Sequence, residues 1–210
     1  HVIFVNNIVK ERDQQGNSVI IGGNGAQYRK NLKKSLLASG SLCKIKLCKN
    51  IGTPFDVSKD TKSPNYYAIK RFSKLTLKKH KQYVRRPDGN GMQVYTQLDA
   101  VRKEIEIMKH IDHPNCVKLY EVIEDVPAKD DEGNDVSDDD LSEKIYLVME
   151  LSKYKEVMSW NTGNYKFEPN SCFGQDFIPE NQIIKILGDC VKGLNYLHNF
   201  AGIVHRDIKP

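Results

Sequence analysis

The chain lacks the cysteine pattern of a secreted framework. Its five cysteines are odd in number and include no Cys-x-x-Cys pair, so neither a disulfide scaffold nor a zinc site is expected. A reducing compartment, cytosol or nucleus, is the expected home. Long apolar runs are also missing: Val2-Ile3-Phe4-Val5 is too short for a signal-peptide core or a membrane span. There is no initiator Met, so the chain is expected to begin within a longer protein. Nor is there a strong excess of one charge. The net charge of +5 over 210 residues comes from scattered lysines offset by one acidic stretch, which argues against nucleic acid as a partner. The composition that is present, 39% hydrophobic and 28% charged, suits one ordinary chain able to bury a core.

Near the start, Ile8-Val9 and Val19-Ile20-Ile21 flank the polar stretch Lys10 to Ser18, the pattern of a short hairpin or a loosely held extension. Gly22-Gly23-Asn24-Gly25 leads into the charged Tyr28-Arg29-Lys30-Asn31 with no sustained apolar strand, so a flexible linker is expected there and not a phosphate loop. Residues 1–31 are therefore read as an N-terminal extension. Leu36 to Leu47 reads as strand, turn and strand, and alternation puts Cys43, Ile45 and Leu47 on one face. Tyr66 to Phe72 is a further strand, on which a half-buried Lys70 would need an anionic partner.

A helix over Leu98 to Ile111 would place Val101, Glu104, Ile105 and Met108 on one face. A carboxylate in that stripe should meet a cation, and Lys70 is the candidate; the alternative is a solvated Glu104 at the stripe's edge. Pro114 stops the helix, leaving His113 as a turn residue and not a catalyst. Strands follow over Val117 to Ile123 and Lys144 to Leu151, separated by an acidic insert, Glu124 to Glu143, expected to be mobile. A calcium loop is excluded there, because Ala128 stands five residues before Gly133 where an EF-hand requires Asp. Trp160, Tyr165, Phe167 and Phe173 are too irregularly spaced for a helix or strand and are expected to cover surface. Pro179-Glu180 then opens a helix whose apolar face runs through Ile183, Ile186, Leu187, Cys190, Val191, Leu194 and Leu197, interrupted by Gly188 and Gly193 and ended by Gly202. That helix reads as scaffold.

The final residues, His205-Arg206-Asp207-Ile208-Lys209-Pro210, carry the chemistry. In a site that phosphorylates hydroxyls, an Asp receives the substrate proton while a nearby Lys balances charge on the travelling phosphoryl group. With Ala68-Ile69-Lys70, the inward Glu104 and Ile145 to Leu151, this order resembles the eukaryotic serine/threonine protein kinases. The resemblance implies an α+β, protein-kinase-like bilobal fold: a complete N-lobe and hinge over 32–152, an antiparallel sheet with one main helix, then the start of a helical C-lobe over 153–210. It implies ATP and Mg2+ as cofactors. Catalytic roles fall to Asp207, Lys209, Lys70 and Glu104, and nucleotide contacts to Leu37, Ala38, Gly40, Cys43, Ile45, Ala68, Lys70, Met149, Glu150 and Leu151.

Two departures bear on those roles. Kinases usually carry Gly where this chain has Ala38 and Cys43, so only Gly40 remains of three loop glycines. The family's catalytic-loop Asn would stand at position 212 and its Asp-Phe-Gly later still, so no metal ligand is expected within this chain, and the 210 residues alone are expected to be inactive. A pseudokinase or binding scaffold is the competing class. Within the kinases, Lys70 to Lys74, Arg85-Arg86-Pro87, Glu104 to Asn115 and Val157-Met158 resemble the calcium/calmodulin-dependent protein kinase kinases. The resemblance implies a protein substrate that is itself a kinase, an Arg-Pro insert used in recognising it, and calmodulin binding through a segment after the kinase domain. The alternative for Lys78 to Gln93 is a basic solvated loop.

Overall fold

Alternating apolar residues at a period of two, separated by Gly and Asn turns, make strand the commonest element among the described residues. The computed structural model describes residues 2–6, 9–30, 36–52, 66–124, 144–152, 156–174 and 176–209. Its strands are β1 (Ile3–Asn6), β2 (Lys10–Arg12), β3 (Ser18–Ile21), β4 (Gln27–Lys30), β5 (Leu36–Ser39), β6 (Cys43–Asn50), β7 (Tyr66–Ser73), β8 (Lys81–Arg85), β9 (Met92–Thr96), β10 (Leu119–Glu124), β11 (Lys144–Met149), β12 (Met158–Asn161) and β13 (Lys166–Pro169). The helices are α1 (Lys74–Lys79), α2 (Gln97–Met108) and α3 (Glu180–Asn195). The acidic insert at 125–143 and the Ile8 end of the first hairpin lie outside the described residues.

The chain divides into two compact units, residues 1–109 with 119–151 and residues 110–118 with 152–210. In the first, nine strands among the described residues form one sheet in the order β1-β10-β11-β7-β6-β4-β3-β2, with β5 also on β6. All its pairings are antiparallel except β1 against β10. Both faces are covered. On one, Phe72, Leu119, Val122, Ile145 and Leu147 pack with Leu77 of α1 and Leu98, Val101 and Ile105 of α2. On the other, Ile20, Ala26 and Tyr28 pack over Cys48, Ile69, Ile123, Tyr146 and Val148.

The second core corrects the expectation of a loose N-terminal segment. β2 and β3 form the hairpin anticipated between Lys10 and Ser18, and β4 then joins the sheet beside β6. The Gly22 to Gly25 stretch is a tight turn and not a flexible linker. Its Gly23 N–H and the Tyr28 hydroxyl, the latter at 2.7 Å, both donate to the buried carboxyl of Glu121. A Cβ on Gly22 would stand 2.5 Å from Glu121 Oε2, so the approach requires glycine. Local composition missed this because Glu121, which the turn and Tyr28 both engage, lies almost a hundred residues away.

α2 begins on a capping box in which Thr96 and Asp99 satisfy one another's backbone amides. It ends at Met108, earlier than the expected Ile111, and Pro114 belongs to a separate turn. Lys78 to Gln93, for which a basic solvated loop was the alternative, is exposed but carries regular structure. α1 starts on a Ser73 cap, and β8 and β9 pair as an exposed hairpin whose turn uses Gly89 and Gly91 at positive φ. Lys74 is buried and reaches Glu124 at 2.8 Å, a pair with no local signal in the sequence.

In the second unit, the aromatics judged irregular form a hairpin. Trp160 lies directly opposite Phe167 in the β12–β13 register, their rings 5.1 Å apart edge to face. The Asn161-Thr-Gly-Asn turn was the missed signal. α3 starts at Glu180 after Pro179, and Gly202 sits at φ +67°, as expected. Its apolar face is open: Ile183, Ile184, Leu187 and Val191 are exposed. Gly193 lets it approach the 113–116 turn, since a Cβ there would meet Asn115 O at 2.8 Å. No described helix is long and apolar enough to cross a membrane.

Candidate active site

Strand registry decides which candidate residues share a face. Ala38 pairs with Ile45, Ile45 with Lys70 and Lys70 with Leu147, so these four form one row across β5, β6, β7 and β11. The next row is Leu47, Ala68 and Met149, and the row on the other side is Cys43, Phe72 and Ile145. Side chains in register rows on one face stand side by side. The result is an apolar floor of Ala38, Ile45, Leu47, Ala68 and Met149 with a single ammonium, that of Lys70, rising from it.

α2 lies over the same face, and its Glu104 Oε1 accepts from Lys70 Nζ at 2.9 Å. The inward carboxylate and strand lysine expected to meet do so. Glu104 is also at the edge of its stripe, with 45% of its side chain exposed against 21% for Lys70. Lys70 Nζ further lies 5.1 Å from the centroid of the Phe72 ring, which fixes the ammonium from below. This arrangement aims a cation held by one carboxylate across an apolar shelf, suited to an anion whose attached ring is flat and apolar.

The β5–β6 hairpin turns through Gly40, whose N–H donates to Cys43 O at 2.9 Å. The turn itself does not demand glycine: Gly40 is not at positive φ, and a Cβ would find its nearest neighbour at 3.9 Å. A need for glycine at this position belongs to whatever approaches the loop. Leu37 is exposed at the irregularity in the β5 register, apart from the Ala38 row. Glu150 and Leu151 follow β11 directly, the first exposed and the second half-buried.

In the second unit, Lys209 Nζ meets Asp207 Oδ2 at 3.0 Å, and the Asp207 N–H donates to His205 Nδ1 at 3.3 Å. Arg206 between them is held at φ +66°, a conformation costing a residue with a Cβ on the order of 1 kcal/mol. Both partners of the Asp207–Lys209 pair are largely exposed. His113 has the turn role anticipated for it: its Nδ1 accepts from the Asn115 N–H, and its ring stacks 4.9 Å from that of Tyr196.

A nine-stranded sheet, antiparallel but for β1 against β10, with a lysine–glutamate pair beneath α2, followed in sequence by a unit that carries the β12–β13 hairpin, α3 and His-Arg-Asp, is the protein-kinase-like class of α+β fold. The chain belongs to the protein kinase domain family, which matches residues 50–210. The β5–β6 turn precedes the matched residues. Among curated relatives, a serine/threonine-protein kinase, TOS3, of Saccharomyces cerevisiae is 32% identical over 174 residues, 83% of this chain and 24% of that protein. A probable serine/threonine-protein kinase of Dictyostelium discoideum is 35% identical over 69% of this chain and 15% of its own length. SNF1-activating kinase 1 of Saccharomyces cerevisiae is 33% identical over 55% of this chain and 8% of its own. The chain thus spans less than a quarter of the length of each.

Proposed function

We propose that the protein is an ATP-dependent serine/threonine kinase that transfers a phosphoryl group to a protein hydroxyl. The observation that carries this reading is the Lys70–Glu104 pair at 2.9 Å beside the apolar Ala38, Ile45, Leu47, Ala68 and Met149 floor. A half-buried ammonium with one carboxylate partner retains donors for a second anion, and an adenine ring suits the floor. Mg-ATP, when bound, supplies the electrophilic phosphorus. Lys70 then neutralises phosphate charge, Glu104 fixes its position, Met149 backs the base, and Glu150 and Leu151 offer it backbone groups. Asp207 orients the substrate hydroxyl and takes its proton, while Lys209, already 3.0 Å from Asp207, offsets charge on the transferring group.

Within the kinases, we assign the protein to a calcium/calmodulin-dependent kinase kinase-like branch acting on other kinases in the cytosol or nucleus. The Arg85-Arg86-Pro87 insert, folded as the β8–β9 hairpin, supports that assignment. One relative is itself named for activating SNF1. Calmodulin would bind through a segment after the kinase domain.

The test uses the full-length protein and a serine/threonine peptide. Asp207→Asn is expected to abolish phosphorylation while leaving ATP affinity within about twofold, and Lys70→Met to lower both. Turnover undiminished in Asp207→Asn would refute the role. A wild type that binds ATP without transferring phosphate would favour the scaffold reading suggested by Ala38 and Cys43 in place of loop glycines.

A further inference from the structure

The face of the sheet opposite α2 carries cations that the proposed chemistry does not use. In the β6–β7 register, Lys44 stands directly opposite Arg71, and Arg71 directly opposite Tyr146 of β11. Lys46 is the next residue of β6 on that face, at about 7 Å along the strand. Lys30 of β4 pairs with Cys48, one further place along the same face. Its ammonium reaches back over the sheet to stand 5.9 Å from the centroid of the Tyr146 ring, the residue opposite Arg71. Four cations from three strands therefore share one face, with Lys30 over the Tyr146 ring.

None of the four is in an ion pair with any described carboxylate. The nearest acid on that face, Glu121, lies in the row of Lys46, Ile69 and Val148 and is engaged by Tyr28 and Gly23. Like charges placed directly opposite one another in a sheet are destabilising. The cost is compounded here because Lys30, Lys46 and Arg71 are half-buried. Burial first, then Lys46, Arg71 and Lys10, holds the Lys30 ammonium below its ordinary range.

We propose that Lys30, Lys44, Lys46 and Arg71 form a docking site for a phosphoserine or phosphothreonine on a protein segment. A phosphate dianion presents three acceptor oxygens, matching a guanidinium fork and adjacent ammoniums. The buried apolar residues around the cluster, Cys48, Ile69, Ile123 and Val148, confine it to one or two phosphates. A nucleic-acid strand needs a longer basic track. The site lies on the sheet face opposite the Lys70 row and does not depend on phosphoryl transfer.

The experiment is fluorescence anisotropy on the full-length protein with a labelled nine-residue Gly/Ala peptide carrying one central phosphoserine. The unphosphorylated twin, inorganic phosphate as competitor and a single-stranded oligonucleotide complete the set. The phosphopeptide is expected to bind at least about tenfold more tightly than its twin, with phosphate competing. Arg71→Ala and the exposed Lys44→Gln should each weaken binding by about fivefold or more, and Arg71→Lys should recover part of it. Equal binding of both peptides, affinity unmoved by Lys44→Gln in a protein of native circular dichroism, or tighter binding of the oligonucleotide would overturn the assignment.

Discussion

Removing the Tyr28 hydroxyl tests whether the first thirty residues are part of the sheet's core. Tyr28 and Glu121 are both fully buried, and the phenol donates to Glu121 Oε2 at 2.7 Å. Tyr28→Phe keeps the ring's packing and deletes the donor, leaving that carboxyl oxygen short of a hydrogen bond. The cost is about 1–3 kcal/mol, or roughly 2–4 °C in Tm per kcal/mol for a chain of this size. Glu121→Gln supplies the complementary measurement. Burial raises the Glu121 carboxyl above its ordinary 4.5, against the opposing hydrogen bonds from Gly23 and Tyr28. The folded state thus holds this proton more tightly than the unfolded chain. Its contribution to stability is whole below pH 4.5 and drains away as pH climbs through the raised value. Each unit of elevation is worth about 1.4 kcal/mol. Gln cannot titrate, and its Oε1 can accept from Gly23 while its NH2 donates to the Tyr28 hydroxyl oxygen, so its stability relative to wild type should rise with pH between 4.5 and neutrality. Urea melts followed by far-ultraviolet circular dichroism at several pH values read both effects. Tyr28→Phe unfolding at the wild-type midpoint, or Glu121→Gln tracking wild type in parallel across pH, would refute a buried, proton-holding contact.

Gly52→Ala would drive a Cβ to 1.9 Å from the Gly25 carbonyl oxygen, a backbone atom. A loss of at least about 2 kcal/mol in the same melts is expected, and a neutral result would show that the Gly25 turn is displaced. Cys48 is buried and its thiol is pushed up to about 11, chiefly by burial. At pH 8, Cys172 and Cys190, both exposed, should react with a thiol reagent first, and Cys48 only on unfolding; simultaneous modification by mass spectrometry would contradict this. Thr96→Ala removes the side chain that caps the Asp99 amide at the start of α2. It should cost about 1 kcal/mol and lower peptide phosphorylation by loosening the helix that carries Glu104, and unchanged values of both would sever the cap from the pair.

Much of the candidate site was legible along the chain because its signals are local. Lys70 lies in an alternating strand, Glu104 falls at helical spacing among Val101, Ile105 and Met108, and their meeting followed from the cost of leaving either charge inward and alone. Asp207 and Lys209 stand two residues apart, so their contact needed no fold. The β12–β13 hairpin was also written locally, in its Thr-Gly-Asn turn, but aromatic residues scattered among polar ones hid the period. β4 was illegible for a different reason: it is short and charged, and only its partners on β3 and β6 give it a place.

The order of elements and the chemistry of each side chain belong to sequence alone, because periodicity and residue type survive without long-range contact. Pairing does not. That Tyr28 finds Glu121, that Lys74 reaches Glu124, and that Lys44 faces Arg71 were decided by strand registry and burial between segments distant in the chain. Each of those pairings exists only once the entropy of closing long loops has been offset by a shared core.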